Sequence, residues 1–249
     1  MRDELLFKQP ESSWIGDCPI CCLPLPLDPQ KSRLMPCCSK MICHGCDYAN
    51  KLRQLGLLIP QEPSCAFCRE PVPKTEEEAN AMLMKRIEKN DPVAMMHMGA
   101  RRYEEGDYKS AFEYYTKAAE LGDANAHYNL SFMYRLGQGV EKDEKKKVYH
   151  LEVAAIGGHV QSRHNLGCYE ERNGRMERAV KHWIIAANMG EEDSMKLLWK
   201  YHARGLVKKE VLTVTLRTHQ AAVDATKSQQ REEGERAKKE GERARKEPK

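Results

Sequence analysis

The sequence predicts a mainly α-helical protein, in which a small cysteine-stapled α+β module precedes a helix–turn–helix solenoid. Two observations carry this expectation. Nine of the ten cysteines lie between Cys18 and Cys68, eight of them in close pairs. From Asp91 onward, two sequence landmarks recur, one at intervals of 36 and then 32 residues and the other at 32 and then 36.

The cysteine stretch reads Cys18-Pro19-Ile20-Cys21, Cys37-Cys38, Cys43-His44-Gly45-Cys46 and Cys65-Ala66-Phe67-Cys68, with intervening loops of 15, 4 and 18 residues. A two-residue gap lets both thiolates of a tight turn reach one tetrahedral zinc at about 2.3 Å. Two closed sites need eight ligands, and four pairs supply eight. The competing reading is a disulfide framework, which needs an export route. Residues 1–16 contain no apolar core of a signal peptide. No apolar run in the chain approaches the roughly 18 residues of a membrane span. Zinc is therefore the expected cofactor, and it is structurally needed, because about fifty residues rarely bury enough apolar surface to fold alone.

Taken in order, residues 1–17 hold Leu5-Leu6-Phe7 ahead of Pro10. We expect a short helical turn packing on the zinc module, with disorder as the alternative. Alternate prolines in Leu23-Pro24-Leu25-Pro26-Leu27-Asp28-Pro29 forbid a helix and favour extended backbone. Tyr48, Ala49, Leu52 and Leu55 then fall at helical spacing and end at Gly56. Pro60 and Pro63 lead into the last knuckle. Thr75 with Glu78 forms a capping box that starts a linker helix over residues 74–90. Asp91-Pro92 starts the next helix, with Asp91 as N-cap and Pro92 in the first turn.

The repeat landmarks are paired alanines in each second helix, Ala118-Ala119, Ala154-Ala155 and Ala186-Ala187. Small residues also recur in each first helix, in Met98-Gly99, Leu130-Ser131 and Leu166-Gly167. A period in the thirties with small residues inside amphipathic helices means a stack of helix pairs. Four units follow, at 91–122, 123–158, 159–190 and a degenerate, more polar 191–225 suited to capping the stack. The scattered histidines and Cys168 read as packing residues, as do Tyr103, Phe112, Tyr114, Tyr115 and Trp183. Residues 226–249 are almost wholly charged and are expected to be a disordered or partly helical solvated tail.

The cysteine order resembles the all-cysteine RING finger over residues 18–73. That resemblance implies a cross-brace, with Cys18, Cys21, Cys43 and Cys46 on one zinc and Cys37, Cys38, Cys65 and Cys68 on the other. His44 and Cys22 are then non-ligands. The adjacent Cys37-Cys38 pair departs from the pattern, and Cys22 is the alternative to one of them. The repeats resemble the Sel-one-like repeat, a relative of the tetratricopeptide repeat. The combination, opening on Phe7-Lys8-Gln9-Pro10, is similar to RING-plus-repeat proteins of microalgae.

Charged residues make up 31 % of the chain but balance to +4, which gives no strong case for a nucleic-acid partner. The RING resemblance implies a ubiquitin ligase that positions a charged ubiquitin-conjugating enzyme and carries no nucleophile of its own. Ile20 inside the first knuckle, Phe67 and Arg69 would contact that enzyme, while the repeats recruit a protein substrate. Asn50 and Ala66 depart from the ligase pattern, with Leu57, Leu58 or Phe67 as possible compensation. The alternative is a non-catalytic zinc-binding adaptor. Either role places the protein in the cytoplasm or nucleus, away from a membrane.

Overall fold

The computed structural model describes residues 2–56 and 62–246; Leu57, Leu58 and Pro60 lie outside them. In chain order the elements are α1 (Arg2–Leu6), β1 (Ser32–Met35), β2 (Lys40–Cys43), α2 (His44–Leu55) and α3 (Glu76–Ile87). They continue as α4 (Pro92–Glu104), α5 (Tyr108–Glu120), α6 (Ala124–Leu136), α7 (Glu144–Ile156), α8 (Val160–Arg172) and α9 (Met176–Asn188). The last are α10 (Glu192–His202), α11 (Lys209–Ala225) and α12 (Gln229–Lys246). The protein is mainly helical, with one two-stranded sheet among the described residues. No described helix is long and apolar enough to cross a membrane. The chain divides into two compact units, Met1–Trp14 with Lys89–Val223, and Ile15–Glu88 with Asp224–Lys249.

The first unit is the helical solenoid. Carboxylates start its helices as the sequence signals require: Asp91 accepts from the amides of Val93 and Ala94 at 3.0 and 3.3 Å. Asp107, Asp123 and Asp143 cap α5, α6 and α7 in the same way. Helix α9 starts after Arg175 without a side-chain cap, and helix α8 breaks the rule in another way. Its cap is His159, whose Nδ1 accepts from the Ser162 amide at 3.1 Å. Burial holds this imidazole neutral, with its pKa lowered to about 3, so the nitrogen is free to accept.

The paired alanines sit at helix contacts. Ala118, Ala154, Ala186 and Ala187 are fully buried, and Ala119 and Ala155 nearly so. Three residues before each pair comes the side chain that fills the unit: Tyr115, Leu151 and Trp183, all buried. The small residues of the first helices make room for them. A Cβ on Gly99 would lie 2.7 Å from the Tyr115 ring, and one on Gly167 would lie 2.4 Å from the Trp183 indole nitrogen. Cys168, expected to be buried, is half-buried, with its thiol 3.5 Å from His164 Nε2.

The amino-terminal segment corrects an expectation. It packs on the repeats rather than on the cysteine module. Leu6 is buried with Leu151, Ala155 and Leu166, Phe7 meets the His182 ring at 4.7 Å, and Trp14 stacks on His159 at 5.0 Å. The buried Arg163 guanidinium donates to the carbonyls of Leu6 and Ala155. Gly158, at φ +83°, turns the chain where a Cβ would strike the Ser12 carbonyl at 2.8 Å. The Leu5-Leu6-Phe7 pattern announced an apolar face but not the surface that receives it.

In the second unit, β1 and β2 pair antiparallel, from Ser32 opposite Cys43 to Met35 opposite Lys40. Helix α2 follows β2 directly and is closed by the Gly56 amide on the Leu52 carbonyl. Thr75 caps α3 by accepting from Glu78 at 3.2 Å, while the Glu78 carboxylate accepts from the Lys74 amide at 2.7 Å. The carboxy-terminal residues form a second correction. They were expected to be solvated and without packing, yet α12 is a helix of 18 residues lying against α2. Long runs of Glu, Lys and Arg favour helix in themselves.

Candidate metal centre and repeat groove

Two cysteine groups form in the second unit. Cys18, Cys21, Cys43 and Cys46 converge in one, and Cys37, Cys38, Cys65 and Cys68 in the other, with all sulfurs of a group within 4.8 Å of one another. No disulfide forms; all ten cysteines are free thiols. Sulfur–sulfur distances are 3.8 Å for Cys21–Cys43, 3.9 Å for Cys38–Cys65 and 3.4 Å for Cys37–Cys68. A tetrahedron of zinc–sulfur bonds of about 2.3 Å has edges of about 3.8 Å. The donor sets therefore fit a metal of that size, and both groups are compatible with one. His44 and Cys22 stand outside the two groups.

The backbone explains why these sulfurs converge. The first knuckle is pinched by a bridge between Asp17 and Pro24, with the Cys22 amide bonded to the Cys18 carbonyl at 2.8 Å. The last is built alike, with a Ser64–Pro71 bridge and the Arg69 amide on the Cys65 carbonyl at 3.0 Å. The β1–β2 turn repeats the device, with the Ser39 amide on Met35 at 2.8 Å. Each turn ends on a left-handed residue: Cys22 at φ 55°, Ser39 at 54° and Arg69 at 69°. That third turn is why Cys37 and Cys38 can be adjacent and still face one group. Cys43 ends β2 and Cys46 lies in the first turn of α2, so one strand-to-helix junction holds the remaining pair.

The thiols of each group restrain one another. The hydrogen bond from Cys43 holds Cys18 low, to about 4, and the same bond with burial pushes Cys43 up. Burial likewise pushes Cys38 up to about 11 and Cys46 to about 12. A divalent ion would relieve this crowding by taking the place of the shared protons.

The other residues singled out in the sequence are distributed as follows. Ile20 is 41 % exposed and Phe67 44 % exposed, each inside a knuckle. Arg69 is exposed, and its guanidinium donates to Asn50 Oδ1 at 3.0 Å. Asn50 in turn donates to the Ser64 carbonyl at 2.9 Å. Ala66 is buried among the cysteines. Asn50, which read as a departure from pattern, is thus a tether for the arginine beside the last knuckle. Sequence reasoning missed this link because it joins a helix to a loop nineteen positions away.

The solenoid carries a groove of about 300 Å3 between α6, α7 and α8. Its wall includes Tyr128, Phe132 and Arg135 from α6, Lys147 from α7, and Asn165 and Arg172 from α8, with no carboxylate among its lining residues. Arg135 lies over the Phe132 ring at 4.1 Å. Lys147 is bound to Glu144 at 2.6 Å. Among the described residues, neither Arg135 nor Arg172 has a carboxylate partner.

The Sel1 repeat family matches residues 92–123, 124–159 and 161–191. The chain is 39 % identical over 56 residues to HcpC of Helicobacter pylori, covering 22 % of this chain and 19 % of that protein. It is 32 % identical over 72 residues to DAP3-binding cell death enhancer 1 of Rattus norvegicus, covering 29 % of this chain and 14 % of the relative. The match thus spans about a fifth or less of the length of these relatives. Among solved structures, a Sel1 repeat protein from Oxalobacter formigenes has 30 % identity and a TM-score of 0.49, covering 62 % of this chain and 65 % of that one. The Escherichia coli antigen c5321 has 24 % identity and a TM-score of 0.46, covering 62 % of this chain and 34 % of that one.

Proposed function

We propose that this chain, whose residues 92–191 carry three Sel1 repeats, is a protein-interaction scaffold stapled by a two-zinc finger. The observation that carries this is the groove: three cations and two aromatic rings with no carboxylate on its wall. Such a lining suits a peptide segment bearing carboxylates, since Arg offers forked donors and aromatic faces hold the apolar parts of a chain. The Cys18, Cys21, Cys43, Cys46 group and the Cys37, Cys38, Cys65, Cys68 group each take one zinc as a structural, closed site.

Binding of a labelled glutamate-rich peptide to the full chain tests the scaffold reading. Arg135→Glu together with Arg172→Glu should weaken binding about tenfold or more, because two guanidiniums without a carboxylate partner become like charges to the ligand. Unchanged affinity would place the protein-binding surface elsewhere.

A second reading is a RING-type ubiquitin ligase, favoured by a specific arrangement. Ile20 and Phe67 are exposed apolar side chains on rigid knuckles, and such side chains are candidates for protein contact. Arg69, tethered by Asn50, keeps further donors free for a bridging role. On this reading, Ile20→Ala abolishes recruitment of a conjugating enzyme while both zincs stay bound. Arg69→Ala spares recruitment but slows ubiquitin discharge to lysine. If the full chain accelerates discharge from no conjugating enzyme in a broad panel, the finger is an adaptor alone.

A further inference from the structure

The carboxy-terminal helix α12 brings one buried cation to the first cysteine group. Arg231 is 4 % exposed. Its guanidinium donates to the Pro24 carbonyl at 2.7 Å, the Leu23 carbonyl at 3.0 Å, the Thr226 carbonyl at 2.6 Å and the Cys21 sulfur at 3.3 Å. Among the described residues no carboxylate pairs with it. A buried guanidinium without an anion is costly, so its counter-charge must lie among these acceptors. Carbonyls carry no charge. Only the sulfur can, and a divalent ion held by four thiolates leaves that centre with two negative charges.

The docking of α12 is built into the backbone, not left to this one side chain. Gly45, between the ligands of the third knuckle, faces Gly234 of α12. A Cβ on Gly45 would lie 2.7 Å from the Gln230 carbonyl and 2.8 Å from Arg231 Cα. A Cβ on Gly234 would lie 2.9 Å from Gly45 Cα. The two missing side chains let the helices touch backbone to backbone. Gln230 donates to the Gly45 carbonyl at 3.3 Å, Glu235 meets Lys31 at 3.4 Å, and Lys238 donates to the Gln30 carbonyl at 3.0 Å. The second cysteine group has no comparable partner: among the described residues, no Lys or Arg side chain is hydrogen-bonded to Cys37, Cys38, Cys65 or Cys68.

We propose that Arg231 is a positioning residue of the first metal centre, donating to the Cys21 thiolate and balancing its charge, so that the finger is completed by the far end of the chain. This rests on the zinc reading of the cysteine groups. Partners in the outer shell of a metal site typically govern metal affinity by 10- to 100-fold. The two centres should therefore differ in how they depend on α12.

The experiment uses the full-length protein, loaded with zinc and then mixed with an excess of a chromophoric chelator. Arg231→Met keeps an unbranched apolar stem and removes the donors and charge. It should still load two zincs, but one of the two should leave about tenfold faster while the other keeps its rate. Gly45→Ala alters no ligand and no donor, and it should accelerate the same phase by displacing α12. Arg236→Met, an exposed residue of the same helix, should change neither phase. With cadmium substituted for zinc, one of the two cadmium resonances should shift in Arg231→Met. A wild-type chain that binds no metal would overturn the zinc reading itself. Two zincs with release unchanged in both Arg231→Met and Gly45→Ala would overturn the role of Arg231 and leave the zinc reading standing. Equal acceleration of both phases would mark α12 as general support for folding and would also overturn the proposal.

Discussion

Chelation of zinc is expected to unfold the cysteine-rich unit while the repeats stay helical. The buried cluster around the cysteines explains why. It comprises Cys18, Leu25, Met35, Ile42, Cys43, Cys46, Cys65 and Ala66. Half of these are prospective ligands, so only Leu25, Met35, Ile42 and Ala66 remain as ordinary core. Leu25, Met35 and Ile42 contribute about 1.5–3 kcal/mol each on burial and Ala66 less, well short of the entropy lost in ordering the surrounding turns. Structural zinc supplies roughly 10–16 kcal/mol of apparent binding free energy in small zinc peptides at neutral pH. With metal removed, the three left-handed turns at Cys22, Ser39 and Arg69 keep only their local backbone hydrogen bonds. Amide exchange on the full chain is the measurement: protection should vanish across residues 18–73 and persist in α4 to α9. Elemental analysis should give two zincs per chain before chelation. One zinc or none, or a finger that keeps its protection in chelator, would contradict the cross-braced assignment.

The largest effect of a single substitution in the solenoid is expected at Gly167. Any Cβ there falls 2.4 Å from Nε1, 2.6 Å from Cδ1 and 2.9 Å from Cε2 of Trp183. Trp183 is fully buried and stacks on Tyr201 at 5.3 Å, so it has little room to retreat. Gly167→Ala gains about 1 kcal/mol of helix propensity, yet overpacking costs typically 1–3 kcal/mol and more when a rigid ring is the neighbour. Gly167→Leu adds volume to the same clash and should destabilise the repeats by about 3 kcal/mol or more. The decisive measurement is a double-mutant cycle with Trp183→Leu by urea denaturation. The smaller side chain relieves the clash, so Gly167→Ala should become neutral or stabilising in that background. A coupling within about 0.3 kcal/mol of zero would mean that the two residues do not meet.

Much of the fold could be read locally. Cysteine spacing announced the knuckles, because two sulfurs on one tight turn need no information from elsewhere in the chain. Asp91 and Thr75 announced helix starts, since a cap is satisfied within three residues. The alanine pairs announced the repeat, because helices can approach closely only where side chains are small. His159 was missed as a cap: imidazole serves only when burial keeps it neutral, and burial is not written in the neighbouring residues.

The sequence by itself therefore determined the mainly helical class, the repeat period, the cysteine pairs and the helix starts at Thr75 and Asp91. Each depends on interactions that close within a few residues or recur at a fixed interval. Only the tertiary structure decided where the two ends of the chain go. Leu6 sits in the solenoid because α7 and α8 leave an apolar seat there, and Arg231 sits on the first knuckle because α12 can pass Gly45 without a side chain in the way. Their acceptors are main-chain carbonyls and a sulfur, and the contact surfaces include glycines. A carbonyl belongs to every residue and a glycine shows only an absence, so neither marks its partner in the sequence. The same holds for Asn50 and Arg69, which meet only once the last knuckle has folded against α2.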